Sequence, residues 1–292
     1  MPRPSYLTEF TFQTEWVEKR GFFLVLAFFL GGLGAGLYLM SMYLGFYPGL
    51  VTGFLIAVVG KGVAHIIYLG KPWRFWRGFL RPQTSWVSRG LLSIVLFGGA
   101  AVFQLAPTIP QLSWLPWTAD NLAIQVFVII GALALMAYTG FALSAVRAIR
   151  AWNTSLMPVL FIVYSFMGGT GLALGMLSGI DNTVDIASVE TIAIWLLIIG
   201  AVLLGIYLLT TNDTAPEGKR SVFELVRGRA SPYFLVGVVF FGLVIPLFVA
   251  SYSLLAHEMP PAVIAIASVC ELIGGFSMRY SIFKAGVYAP LA

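Results

Sequence analysis

A chain of 292 residues with one cysteine, two histidines and 10% charged residues has little material for several common chemistries. The lone cysteine, Cys270, excludes an internal disulfide, a thiolate metal site of the usual ligand count and an iron–sulfur cluster held by this chain alone. Scarcity of charge excludes an ordinary soluble domain, in which about 25% of residues are charged. The first 20 residues carry mixed charges and no apolar core ending in a small-residue cleavage site, so they do not read as a signal peptide, and the first apolar segment is expected to stay in place. What is abundant is apolar: 59% of residues are hydrophobic and the mean hydropathy is +0.92.

A helix needs about 20 apolar residues to cross a hydrocarbon core about 30 Å thick. Eight such stretches occur, near 21–46, 50–69, 88–106, 122–147, 156–178, 188–210, 232–256 and 262–283. The expected fold class is therefore an all-α integral membrane protein with eight transmembrane helices. An even number of crossings returns both termini to one side.

Threading the chain this way collects sixteen of the 17 Lys and Arg residues on that side. They are Arg3, Lys19, Arg20, Lys71, Arg74, Arg77, Arg81, Arg89, Arg147, Arg150, Lys219, Arg220, Arg227, Arg229, Arg279 and Lys284. The opposite side receives Asp120, Asp181, Asp185, Glu190 and Glu258 and no base. Short connections with this bias obey the positive-inside rule, which makes the basic face, and with it both termini, cytoplasmic. A basic docking surface for an acidic partner on the outside is the alternative, and it would need fewer loops to agree. Trp16, Trp73, Trp76, Trp86 and Trp152 flank the basic face, and Trp114, Trp117 and Trp195 the acidic one, as interfacial belts do.

Phe29–Gly36 (FLGGLGAG) returns in outline as Phe166–Gly175 (FMGGTGLALG), each with Phe-x-Gly-Gly-x-Gly. Four crossings separate the copies, so two halves would run in the same direction about an axis along the membrane normal. This predicts two parallel four-helix bundles, 1–150 and 151–292. Small residues let helix backbones approach in lipid, and Gly31, Gly32, Gly34 and Gly36 are dense enough both for packing and for a groove in which a flat ring lies against bare backbone.

Few titratable residues lie within the spans, and such residues normally face a protein interior or a wet cavity. Lys61, His65 and Tyr68 recur at i, i+4 and i+7, which sets an amine, an imidazole and a phenol on one face of the second span. Glu271 and Arg279 lie in the eighth. A buried Lys61–Glu271 pair and a proton-transfer role for Lys61 are both consistent with this pattern, and the imidazole suits proton exchange near neutral pH. His257 falls at the opposite membrane face, so His65 and His257 cannot together ligate one haem of the b type. Tyr138, followed by Thr139 and Gly140, lies two turns from the basic end of the fourth span, at a depth comparable with His65.

Seven segments, in order, resemble the NrfD and polysulphide-reductase membrane subunits: Phe28–Gly36, Tyr68–Trp76, Thr84–Gly90, Ala137–Ala145, Met157–Phe161, the second glycine cluster and Leu272–Tyr280. The resemblance covers nearly the whole chain. It implies an eight-helix, quinone-reactive anchor of a respiratory iron–sulfur molybdoenzyme complex. The quinone, menaquinone or ubiquinone, would lie near the face where the N-terminus and the second connection emerge. A four-cluster ferredoxin-like subunit would dock there, with a molybdopterin catalytic subunit beyond it. Tyr138 is similar to the family's quinone-contacting tyrosine. Many relatives have His where this chain has Tyr68, and His65, one turn earlier, is the expected substitute. In many relatives the catalytic subunits are exported, whereas the charge census here turns the docking face to the cytoplasm.

The expected quinone-binding residues are thus His65, Tyr68, Tyr138, Gly32 and Gly36. Lys61, Glu271 and Arg279 form an expected proton relay, and Arg74, Arg77, Arg81 and Arg89 an expected docking set. The chain would hold no haem or metal and would be inactive alone. A transporter or ion-translocating bundle is the alternative, since parallel repeats and buried Lys and Glu suit that role too.

Overall fold

A computed structural model of the chain describes residues 9–178, 180, 184–256 and 259–290; His257, Asp181 and Glu258 lie outside the described residues. Its first to eighth spans are Gly21–Leu44, Tyr47–Leu69, Trp86–Thr108, Leu122–Ser144, Leu156–Leu177, Ile186–Thr214, Pro232–Ser253 and Pro261–Lys284. The protein is a mostly helical integral membrane protein. Its first, fourth and fifth spans are mostly buried, while the second, third, sixth and seventh mostly face outward.

Local chemistry sets the helix ends. Asn121 accepts from the Ala123 and Ile124 amides at 3.1 and 3.3 Å, starting the fourth span as an N-cap. Asp185 does the same for the sixth, accepting from the Ala187 amide at 3.2 Å and from the Ser188 hydroxyl. The hydroxyl, then the backbone N–H groups, hold its carboxyl below the usual carboxylate range. The first span ends at Gly45, whose φ of 65° turns the chain so sharply that the second span begins at Tyr47, three residues earlier than hydropathy alone suggests. Within the second span, Leu55–Gly60 is π-helical, and regular α-helix resumes at Lys61. Lys61, His65 and Tyr68 therefore share one α-helical face.

The two glycine clusters meet. A methyl group on Gly36 would strike the Ser165 carbonyl, one on Gly32 the Ser165 side chain, and one on Gly169 the Gly36 backbone. The contacts pair Gly32 with Ser165 and Gly36 with Gly169, so the first and fifth spans run side by side in the same direction at backbone contact. This seam is the centre of the molecule. The second and fourth spans lie against the first, and the eighth lies against both the first and the fifth.

Four segments of the basic face are tied together. Strand β1 (Thr11–Phe12) pairs antiparallel with β2 (Val287–Tyr288), with Thr11 opposite Tyr288. Gln13 donates through Nε2 to the Phe283 carbonyl at 3.1 Å, and Trp152 through Nε1 to that of Ile282 at 2.9 Å. Tyr207 donates to the Ala151 carbonyl at 3.1 Å. In the sixth connection a short helix, Pro216–Val226, presents Glu224 to Arg220 at 2.9 Å and to Arg229 at 3.6 Å, and Arg229 lies over the Phe12 ring.

Three expectations change. Arg279 does not belong in the loop charge census: it is 1% exposed, five residues inside the end of the eighth span. Trp152 is no interfacial anchor, being 0% exposed beneath the terminal strands, where it packs on Trp16 and Phe283. Finally, Lys61 and Glu271 form no ion pair; Lys61 is held elsewhere, and Glu271 Oε1 has no hydrogen-bond partner among the described residues.

Candidate functional site

Lys61 is 3% exposed, at the point where the second span returns to α-helix. Its ammonium donates to Tyr138 Oη at 2.5 Å and to the Ala27 carbonyl at 3.5 Å. It also lies 4.7 Å from the centroid of the Tyr138 ring and 5.4 Å from that of Phe28, close enough for cation–π attraction. A buried cation is tolerable only with such partners. Phe28 makes edge-to-face contacts with both Tyr138 and His65, at 5.8 Å between centroids in each case. One aromatic ring thus stands among the amine, the phenol and the imidazole.

His65 is half-buried, with Nδ1 3.3 Å from the Lys61 carbonyl. A carbonyl only accepts, so this contact puts the ring hydrogen on Nδ1 and leaves Nε2 as a free acceptor. Tyr68, also half-buried, continues the stripe toward the basic face.

Absent side chains make this cluster possible. A methyl on Gly31 would come 2.7 Å from Lys61 Cδ, and one on Gly90 would run into the Tyr138 ring. Gly140 lets the fourth span touch the Pro158 backbone. The segment Thr84–Gly90 carries the clue to Gly90 in the sequence, though nothing there ties it to Tyr138.

Gly32 and Gly36 face the fifth span, with Gly32 against Ser165 and Arg279. Arg279 donates through Nη2 to Ser165 Oγ at 3.0 Å and through Nη1 to the Gly275 carbonyl at 2.9 Å. Consecutive glycines on the first span therefore carry the two buried cations on two sides of one helical turn. Glu271, 5% exposed, is eight residues from Arg279, about 12 Å along the helix, and rests on Gly171. So Lys61 and Arg279 come to one level and Glu271 does not. On the fifth span, Thr170 Oγ1 lies between these two levels and Tyr164 Oη on the Arg279 side of them; both are buried without a hydrogen-bond partner among the described residues.

Of the basic residues in the second connection, Arg74, Arg77 and Arg81 are exposed, in and just after the short helix Pro72–Phe79, where Trp73 is 90% exposed. Arg89 is a brace instead. It donates to the Pro82 and Gln83 carbonyls at 2.8 and 2.7 Å and lies 4.2 Å from the Trp86 ring centroid, and Trp86 stacks on Phe141. Among the described residues no group of three or more His, Cys, Asp or Glu could hold a metal ion.

Eight helices long and apolar enough to cross a membrane, among the described residues, define a multi-pass membrane protein. The chain belongs to the polysulphide reductase NrfD family, whose profile matches residues 19–290. It is 27% identical to protein NrfD of Escherichia coli (strain K12) over 294 residues, covering 88% of this chain and 92% of that protein. The NrfD homolog of Haemophilus influenzae is 24% identical over 262 residues, 82% of this chain and 81% of its own. A sulfite dehydrogenase subunit of Allochromatium vinosum is 27% identical over 146 residues, 46% of this chain and 43% of its own. The chain is accordingly a multi-pass protein of a prokaryotic inner membrane.

Proposed function

We propose that this chain is the quinone-reactive subunit of a respiratory oxidoreductase complex, binding menaquinone or ubiquinone beside Lys61, His65 and Tyr138. The supporting observation is the 2.5 Å contact between Lys61 and Tyr138, walled by Phe28 and adjoining His65. A bound quinone supplies two-electron, two-proton redox chemistry. For it the chain offers an ammonium and a phenol as donors, an imidazole Nε2 as proton acceptor, and an aromatic face against which a flat ring excludes water. Tyr68 extends this polar stripe toward the headgroup region. Gly32 and Gly36 act at one remove, by letting the fifth span close on the first.

Electrons pass between this site and a four-cluster ferredoxin-like subunit, itself joined to a molybdopterin catalytic subunit. Arg74, Arg77 and Arg81 form the docking set, and Arg89 holds their loop in shape. The basic face, and with it both termini and the partners, is read as cytoplasmic. We read residues 1–150 as the bundle carrying the site and 151–292 as its parallel counterpart. Proton transfer begins at Lys61, with Arg279 as a fixed charge beside the route; the Thr170 hydroxyl, which has no hydrogen-bond partner among the described residues, lies between the Arg279 and Glu271 levels.

The test is purification with native partners, followed by quinol-dependent electron transfer and titration with a quinone-site inhibitor. Tyr138→Phe removes the phenol that would bond the headgroup, a net loss of about 0.5–1.5 kcal/mol, and inhibitor affinity should fall by up to about tenfold. A stable lone chain that moves a solute in liposomes without electron transfer would refute the reading and favour a transporter.

A further inference from the structure

At the basic end of the fourth and fifth spans lies a cleft of about 270 Å³ lined by Phe141, Ser144, Asn153, Thr154, Ser155 and Pro158. The quinone reading makes no use of it. One wall is apolar: Phe141, backed by the stacked Trp86 ring, faces Pro158. The rest is hydroxyl and amide. Asn153 donates to the Ser144 carbonyl at 2.5 Å, which fixes the rim, and its Oδ1 accepts from Arg150 Nη1 at 3.4 Å. Thr154 Oγ1 accepts from the Leu156 amide at 3.3 Å and so retains its own hydrogen to donate. Ser155 makes no capping bond. Arg147 and Arg150 are both exposed in the connection that bounds the cleft.

Depth and chemistry together select the ligand. The fourth span ends at Ser144 and the fifth begins at Leu156, so the polar rim sits where the helices leave the hydrocarbon, while Phe141 and Pro158 reach one turn into it. Phosphate needs donors and positive charge, which Thr154, Ser155 and Arg150 supply; the glycerol above the acyl chains needs an apolar wall, which Phe141 and Pro158 supply. The volume falls short of the roughly 300 Å³ at which pockets begin to enclose whole drug-sized ligands, which suits a headgroup whose tails stay in the bilayer. We propose that this cleft binds the phosphate headgroup of an anionic phospholipid.

The probe is phosphatidylglycerol, titrated into the delipidated full chain and counted by native mass spectrometry. Phosphatidylcholine and glycerol phosphate serve as separate arms. The unmodified protein should retain one phosphatidylglycerol in preference to phosphatidylcholine. Arg150→Gln should weaken that retention about fivefold, the loss of one basic residue's attraction to an anionic lipid. Ser155→Asp, which sets a negative charge on the same exposed rim, should weaken it at least as much. Arg227→Gln, on another exposed connection of the same face, should leave it unchanged. Equal retention of the two lipids, or wild-type retention in both cleft variants, overturns the proposal. So does displacement of the lipid by glycerol phosphate at equal concentration, which would mark a site for free phosphate.

Discussion

Gly90→Ala tests the geometry of the polar cluster without touching any of its polar groups. The added methyl would run into the edge of the Tyr138 ring, which is fixed on its other sides by Phe28 and Lys61. Overpacking of a filled interior costs about 1–3 kcal/mol. If the ring moves away to relieve it, Tyr138 Oη leaves the Lys61 ammonium, and a hydrogen bond to a charged group worth about 1.5–3 kcal/mol is lost as well. The total is about 2.5–6 kcal/mol when both occur. Cys270 provides the assay, being the one cysteine of the chain and buried. A thiol-reactive fluorophore reports unfolding as the protein is heated in detergent, and Gly90→Ala should lower the midpoint by several degrees. In a Tyr138→Ala background the same methyl enters vacated space and should cost almost nothing. The two substitutions should then show a coupling of more than about 1 kcal/mol, against the ~0.5 kcal/mol within which independent sites add. Additive effects, or a wild-type midpoint for Gly90→Ala, would refute the packing of Tyr138 on Gly90.

Gly171→Ala places a methyl on the Glu271 carboxylate and should displace it, lowering the thermal midpoint in the same thiol assay. Glu224→Gln removes the charge shared by Arg220 and Arg229; with both arginines over 40% exposed, the loss should be modest, about 1 kcal/mol, and should appear as faster proteolysis in the connection 215–231. The native carboxyl of Asp185 titrates below its unfolded value, so its cap stabilises the sixth span above the ordinary carboxylate pKa and is lost as pH falls through the lowered one. Hydrogen exchange at Ala187 should therefore become less protected on acidification, and Asp185→Asn should flatten that dependence. A cysteine placed at Trp73, 90% exposed, should be labelled by an impermeant reagent in inverted vesicles and not in intact cells if the basic face is cytoplasmic.

The spans are legible in the sequence because crossing a bilayer demands apolar length, which a local sum over residues measures directly. Their rotation is not, because it depends on which neighbour each face meets. Spacing puts Lys61, His65 and Tyr68 on one face, yet only the fold puts Tyr138 opposite Lys61. Charge alone makes a Lys61–Glu271 pair plausible, but the two groups attach to different turns of the first–fifth–eighth contact. Arg279 looks like a loop base because hydropathy near a helix end cannot separate a snorkelling side chain from a buried one. Trp152 is ambiguous for the same reason: an indole beside a membrane interface can be lipid-facing or, as here, roofed by strands formed from residues more than a hundred positions away. Glycine spacing alone fits both packing and a groove. Contact with the Ser165 side chain at Gly32, and with the Ser165 and Gly169 backbones at Gly36, packs both glycines against the fifth span.

The pairing of β1 with β2 also orders events during biogenesis. Phe28, at the heart of the cluster, rests against Phe283, and Phe283 is held through Gln13 by the segment that precedes the first span. Thr11 and Phe12 thus wait for their strand partners until the eighth span and the segment after it have been made. Until the eighth span has been inserted, Phe28 lacks its contact with Phe283 and the cluster around Lys61 is incomplete. Closure of this terminal clasp therefore comes after membrane insertion of the spans between the two strands.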